Sequence, residues 1–233
     1  MKVGIMQPYF LPYIGYWQLM NAVDKYVIYD DVNFIKGGWI NRNRILVNGQ
    51  PHYFNVPMLG ASPNKLINEV QVNNDPHLQR KNLCILKNAY SKAPYFSEVY
   101  PLVEQILGFQ AENIAQYIIN SFVTINKYLS IDTELIVSST LNKDTGLRAQ
   151  DKVIAICKLL NADQYYNAIG GQHLYFSEEF IKHKIQLYFV KSDPIKYKQY
   201  NNDFQDNLSI LDVMMFNSVE RVKYFLTRYT LLS

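Results

Sequence analysis

The sequence predicts an α/β fold: a Rossmann-like, mostly parallel sheet, of which the nucleotidyltransferase-like arrangement is one form, carrying a β-hairpin and a helical cap insertion. Three observations predict it. Short strand-forming runs recur along the chain, among them "TELIVSS", "QYYNAI" and "IQLYFV". Helix-like segments separate most of them, as parallel neighbours require. Asn48-Gly49 sits between strand formers, and that dipeptide supplies the positive φ angles of a two-residue hairpin turn. With 233 residues, 48% of them hydrophobic, the chain can bury a substantial core. It reads as one α/β domain over 1–233, with 75–130 as a helical insertion or cap within it.

The elements follow in order. Val3 to Met6 is a short buried strand, Tyr13 to Ala22 a helix, and Tyr26 to Tyr29 a second strand ending at Asp30-Asp31. Between the first strand and its helix lies "QPYFLPYIGY", two prolines and a glycine among aromatics. Pro12 suits the first helical turn, and Gly15 lets the helix approach a neighbour or ligand closely. The hairpin occupies Ile45 to Pro57. Three helical segments follow, the last with Ile114, Ile118, Phe122, Ile125 and Leu129 along one stripe, and they are expected to pack on the sheet. The strand-helix alternation then resumes through "AQDKVIAICKLLNA" and "YFSEEFIKHK". A final helix is expected from Ser209 through "ILDVMMFNSVERVKYFL", with Ser209 and Asp212 as a capping box.

Composition removes several functional classes. Lys+Arg 23 against Asp+Glu 20 gives +3, too mild for a nucleic-acid footprint. No apolar run approaches the ~18 to 20 residues of a membrane span, and no charged leader precedes an apolar region, so a cytoplasmic protein without a membrane span is expected. Cys84 and Cys157 both read as small core hydrophobes, with a disulfide the lesser reading. The 19 Tyr and 12 Phe suit wet clefts and stacking on sugars or bases, although codon usage of AT-rich genomes favours Tyr as well.

In an open parallel sheet the ligand lies at the C-terminal strand ends, beside the point where strand order reverses. That rule selects Gln7-Pro8, Asp30-Asp31, Ser138-Ser139 and Asn167 to Gly171. The densest polar group follows the second strand: Asp30, Asp31, Lys36, Trp39, Asn41, Arg42 and Arg44 within "DDVNFIKGGWINRNRI". In an extended "NRNR", Asn41 and Asn43 face one way while Arg42 and Arg44 face the other, a row suited to a phosphate or carboxylate. The competing reading makes the aspartates turn caps and the arginines surface pairs. Gly170-Gly171 could bring backbone close to a phosphate or simply form a turn. His173 is the histidine nearest the expected cleft, a general-base candidate or a solvated residue. The histidines lack i, i+4 pairing and cysteine partners, so no metal ligands are assigned. P-loop, dinucleotide-fingerprint and Gly-x-Ser-x-Gly patterns are all missing.

Four stretches, "GIMQPYFLPYIGYWQLM", "YVIYDDVNFIKGGWINRNRI", "DKVIAICKLLNADQYYNAIGG" and "QYNNDFQDNLSILDVMMFN", resemble the WbqC-like family, whose genes accompany surface-polysaccharide and O-antigen synthesis. The resemblance implies a transferase in glycan assembly, moving an acyl or aminoacyl group to a nucleotide-linked amino sugar. Asp30 or Asp31 would then deprotonate an amine or bind a metal. Arg42 and Arg44 would hold a phosphate, and Gln7, Pro8, Tyr16 and Trp39 would shape the pocket. A nucleotide with Mg²⁺ is compatible with this set as cofactor or substrate. Pro12-Tyr13-Ile14-Gly15-Tyr16 is also similar to the turn where nucleotidyltransferases carry His-x-Gly-His, but neither histidine exists here, and tyrosine supplies no cationic donor. Adenylyl transfer and a non-catalytic binding role in glycan assembly are the alternatives.

Overall fold

The computed structural model describes residues 1–200 and 203–233. In chain order the elements begin with β1 (Lys2–Met6), α1 (Ile14–Asn21) and β2 (Lys25–Ile28). Two hairpins follow, β3 (Arg42–Val47) with β4 (Gln50–Asn55) and β5 (Met58–Leu59) with β6 (Gln71–Val72), and then helices α2 (Pro76–Tyr90), α3 (Phe96–Gly108) and α4 (Ile114–Leu129). The alternation resumes with β7 (Glu134–Val137), α5 (Ala149–Leu159), β8 (Gln164–Ala168), α6 (Ser177–Lys182) and β9 (Gln186–Ser192). The chain closes through α7 (Ile210–Phe216), α8 (Val219–Leu226) and β10 (Tyr229–Leu232).

The central sheet has the order β10-β9-β8-β1-β2-β7, with five parallel strands and β10 antiparallel to β9. From β1 the chain winds outward through β2 to β7, then returns to place β8 and β9 on the other side of β1. The reversal therefore falls between β1 and β8, where a doubly wound sheet opens its ligand crevice. Strand alternation sorts the side chains to the two faces. Val3, Ile5 and Val27 join Val153, Cys157 and Phe180 from α5 and α6, whereas Tyr26 and Ile28 join the larger core around α1.

The β3–β4 turn has φ 51° at Asn48 and 76° at Gly49, the paired positive angles of a two-residue hairpin turn. The three-helix insertion does not sit where the sequence reading put it. Phe122 of α4 meets Trp17 edge-on at 5.4 Å and Tyr16 at 5.6 Å, so α4 packs against α1, while α2 packs on α3 and β3. Among the described residues no helix is long and apolar enough to cross a membrane.

Four local expectations are corrected. The C-terminal helix is broken: Asn217 is extended and its Nδ2 donates to the Val213 carbonyl at 2.8 Å, while the Ser218 hydroxyl accepts from Arg221 N–H at 3.3 Å to start α8. The strand β10 follows this helix, a short edge strand that the apolar helix pattern hid. Ser209 accepts from Leu211 N–H, but the Asp212 carboxylate turns inward instead of completing a capping box. Cys84 is exposed on α2, and only Cys157 is a core residue; both are free thiols.

Candidate functional site

The β1–α1 loop is fastened from several directions. The Gln7 carbonyl accepts from the Tyr16 hydroxyl at 2.8 Å, the Phe10 carbonyl from Asn43 Nδ2 at 3.1 Å and the Leu11 carbonyl from the Ser209 hydroxyl at 2.8 Å. Pro12 lies before the helix, not in its first turn, and its carbonyl accepts from Trp17 Nε1 at 3.1 Å. Pro8, Phe10 and Leu11 are buried, as is Tyr16, which braces the strand end from within the core. Tyr9 and Tyr13 remain half-buried at the surface. A Cβ on Gly15 would fall 2.4 Å from the Tyr13 ring, so a bare glycine is what allows Tyr13 its position.

Two hollows meet at this loop. The smaller, about 160 Å³, has Tyr9, Pro12 and Tyr13 on one side and Trp39, Asn43, Arg44 and Asn207 on the other. The larger, about 610 Å³, lies beyond the end of β9 and is lined by Tyr13, Asp193, Lys196, Tyr197, Phe204 and Asp206 among others. Tyr13 and Asn207 line both. Concave, partly aromatic space at the C-terminal sheet edge with a few polar groups is the usual form of a small-molecule site.

The arginines occupy one face of β3 with two aromatic rings. Arg44 lies over Trp39 at 5.8 Å and donates to the Asn207 carbonyl at 3.2 Å; its Nε is buried without a hydrogen bond among the described residues. Arg42 stacks on Tyr53 at 4.4 Å and is tied by Nε to the Gly38 carbonyl at 3.0 Å and by a second nitrogen to that of Gly37. Gly37 has φ 76°, a backbone state that favours glycine. Lys36 and Trp39 are exposed on the same loop, whereas Asn41 is half-buried and donates to the Val56 carbonyl at 3.3 Å. Arg44 and Trp39 line the smaller hollow; Arg42 anchors the loop that carries Trp39.

Asp30 and Asp31 serve different partners. Asp30 is buried and accepts from Ser139 N–H at 2.9 Å, the Ser139 hydroxyl at 2.6 Å and Asn68 Nδ2 at 3.2 Å, joining the ends of β2 and β7 to the loop before β6. Asp31 pairs with Lys143 at 2.9 Å and Lys152 at 3.1 Å, and Lys152 also lies 4.9 Å over the Tyr29 ring. Burial raises the Asp31 carboxyl, but Ser138 and the two ammoniums outweigh it and hold the group below the usual carboxylate range. Neither aspartate lines the two hollows described above. After β8, Gly171 packs on the buried Asn167 amide, while Gly170 and His173 are exposed.

Beneath the larger hollow the Asp212 carboxylate is fully buried. It accepts from Tyr90 at 3.0 Å, Tyr197 at 2.7 Å and Gln199 at 2.6 Å. Burial pushes its pKa up against the three donors. Sequence reasoning missed Asn207, Tyr197, Lys143 and Lys152 because they come from segments far apart in the chain, and it passed over Tyr9 beside the selected Gln7-Pro8. For Tyr9 and Tyr13 a signal existed: they are the tyrosines that flank the buried Phe10-Leu11 pair.

No solved structure matches this chain. It is 26% identical over 226 residues to the uncharacterized protein Rv1507c of Mycobacterium tuberculosis, covering 96% of each chain. The match to a known family starts at Gln7, directly after β1, and runs through β2, the hairpins, β7 to β9 and α7 to Tyr224 on α8. Over residues 7–224 the chain matches the WbqC-like protein family, and it belongs to that family.

Proposed function

We propose that the chain is a transferase of bacterial surface-polysaccharide assembly, moving an acyl or aminoacyl group onto a nucleotide-linked amino sugar. Family membership supports the glycan context. The observation that carries the reading is the pair of adjacent hollows sharing Tyr13 and Asn207, with Arg44 and the Trp39 ring it lies over lining the smaller one together with Tyr9 and Tyr13. Aromatic faces suit sugar rings and bases, and a guanidinium suits phosphate. In this reading Arg44 holds the phosphate, Trp39 and Tyr9 flank the base or sugar, and Tyr13 stands between the two compartments. Arg42, Gln7, Pro8, Tyr16, Asn41 and the Gly170-Gly171 turn position the walls, with Lys36 and His173 at the exposed rim.

Catalysis then rests on holding acceptor amine and activated acyl donor together: the bound amine gives a proton to solvent, its nitrogen forms the C–N bond, and the donor's C–S or C–O bond breaks as the thiolate or alkoxide leaves, with proximity by itself supplying a large part of such a rate enhancement. Asp30 and Asp31 act in this reading as positioning residues, since both Asp30 oxygens and Asp31 Oδ2 already serve protein donors, while the buried Asp31 Oδ1 has no hydrogen-bond partner among the described residues. Among the described residues no three His, Cys, Asp or Glu side chains stand together as metal ligands, so Mg²⁺ would enter with the nucleotide phosphates as part of the substrate.

The test is incubation of purified protein with nucleotide-linked amino sugars and acyl thioesters or aminoacyl donors, with products followed by mass spectrometry. An acylated nucleotide sugar, lost on Arg44→Ala, is the expected result. Binding of the nucleotide sugar without transfer across a broad donor panel would overturn the reading.

A further inference from the structure

The larger hollow is built around negative charge and aromatic surface. Tyr13, Tyr197 and Phe204 present rings to it, with Tyr197 and Phe204 edge to face at 5.1 Å. Asp193, Asp206 and Lys196 line it, and the Asp193 carboxylate is paired with Arg228 at 3.5 Å, so the rim itself is close to neutral and the unpaired negative charge lies deeper. Asp212 lies behind Tyr197, fully buried, and its three partners Tyr90, Tyr197 and Gln199 are all neutral. Among the described residues no lysine, arginine or histidine forms an ion pair with it. A carboxylate removed from water without a counter-ion is costly to the free protein, and its field is weakly screened.

We propose that Asp212 is the negative pole of the larger hollow, and that the hollow receives a positively charged group, the protonated amine of its ligand. The aromatic rings reinforce the same preference through cation–π attraction. In the adjacent, smaller hollow Arg44 supplies positive charge, so the site is bipolar: amine toward Asp212, anion toward Arg44. The identity of the ligand as a sugar rests on the transferase reading, whereas its charge does not.

The probes are D-glucosamine and D-glucose, titrated calorimetrically into wild-type protein, Asp212→Asn, and the double variant Asp193→Asn/Asp206→Asn at neutral pH. Wild-type protein is expected to favour glucosamine by about tenfold, as one weakly screened charge pair allows. Asp212→Asn should remove most of that preference and the double variant should keep it. Equal affinity for the two sugars in wild-type protein, or a preference unchanged by Asp212→Asn, overturns the inference. If Asp212→Asn does not fold, the double variant decides: preference retained supports the buried carboxylate, and preference lost assigns recognition to the rim and overturns it. Acyl transfer with the preference unchanged in Asp212→Asn would sink this inference alone. A preference abolished in Asp212→Asn without acyl transfer would sink the transferase reading alone.

Discussion

Replacing Asp31 by Asn strands two ammoniums. The Lys143 and Lys152 side chains are only 4% and 6% exposed, and the carboxylate they share is 13% exposed. Removing one member of a buried ion pair costs about 3 to 5 kcal/mol, because the remaining charge stays desolvated. Asn keeps one oxygen acceptor, which places Asp31→Asn near the lower end, about 3 kcal/mol. For a chain of this size that corresponds to a fall of about 6 to 12 °C in Tm. Urea unfolding followed by circular dichroism measures it directly, and adding Lys143→Met to the variant should recover part of the loss. The effect also has a pH signature. The folded pKa of Asp31 lies below its unfolded value, so its contribution is present above the unfolded value and disappears as pH falls through the folded one. Wild-type and Asp31→Asn stabilities should therefore converge in acid, below about pH 4. A loss under about 1 kcal/mol at neutral pH would refute the reasoning, because that is the scale of solvent-screened surface pairs.

Gly15→Ala should leave stability within about 1 kcal/mol, since alanine favours the helix and only the far end of the Tyr13 ring must move, yet it should weaken nucleotide-sugar binding by displacing Tyr13. Calorimetry beside thermal unfolding separates the two effects. Arg44→Lys keeps the charge but loses the stacking on Trp39 and the planar fork, so affinity for a nucleotide diphosphate should fall about tenfold. Thiol labelling of native protein should modify Cys84 alone, because burial pushes the Cys157 thiol up to about 12; unfolding should expose both. Phe122→Ala, which opens a cavity between α4 and α1, should cost about 3 to 5 kcal/mol by urea unfolding.

The sheet was legible because its strands are short apolar runs between helix-forming segments, and the hairpin because Asn48-Gly49 admits few other conformations. The placement of the helical insertion was not, since an apolar stripe says that a face is buried without saying what buries it. The α7–α8 break was encoded in Asn217-Ser218, two capping residues, but the apolar pattern continues across them and conceals it. For the candidate site, the strand-end rule pointed to the C-terminal edge of the sheet, where the two hollows lie. It could not resolve Asp30 from Asp31, which are neighbours in sequence yet bond to different segments. The partners of Asp31 and the walls supplied by Tyr197 and Asn207 exist only once distant segments meet. The function of Gly15 was half visible: a close approach was expected, and the neighbour it accommodates is the ring of Tyr13, two residues away.

The central claim is that the rigid β1–α1 loop forms a wall of the ligand site. A crystal structure with a uridine-diphosphate-linked glucosamine tests it most directly. The diphosphate is expected at Arg44, the base or sugar between Trp39 and Tyr9, and the amine in the larger hollow against Tyr197, on the side backed by Asp212. Ligand bound instead at the Asp31, Lys143 and Lys152 cluster, with both hollows empty, would contradict it.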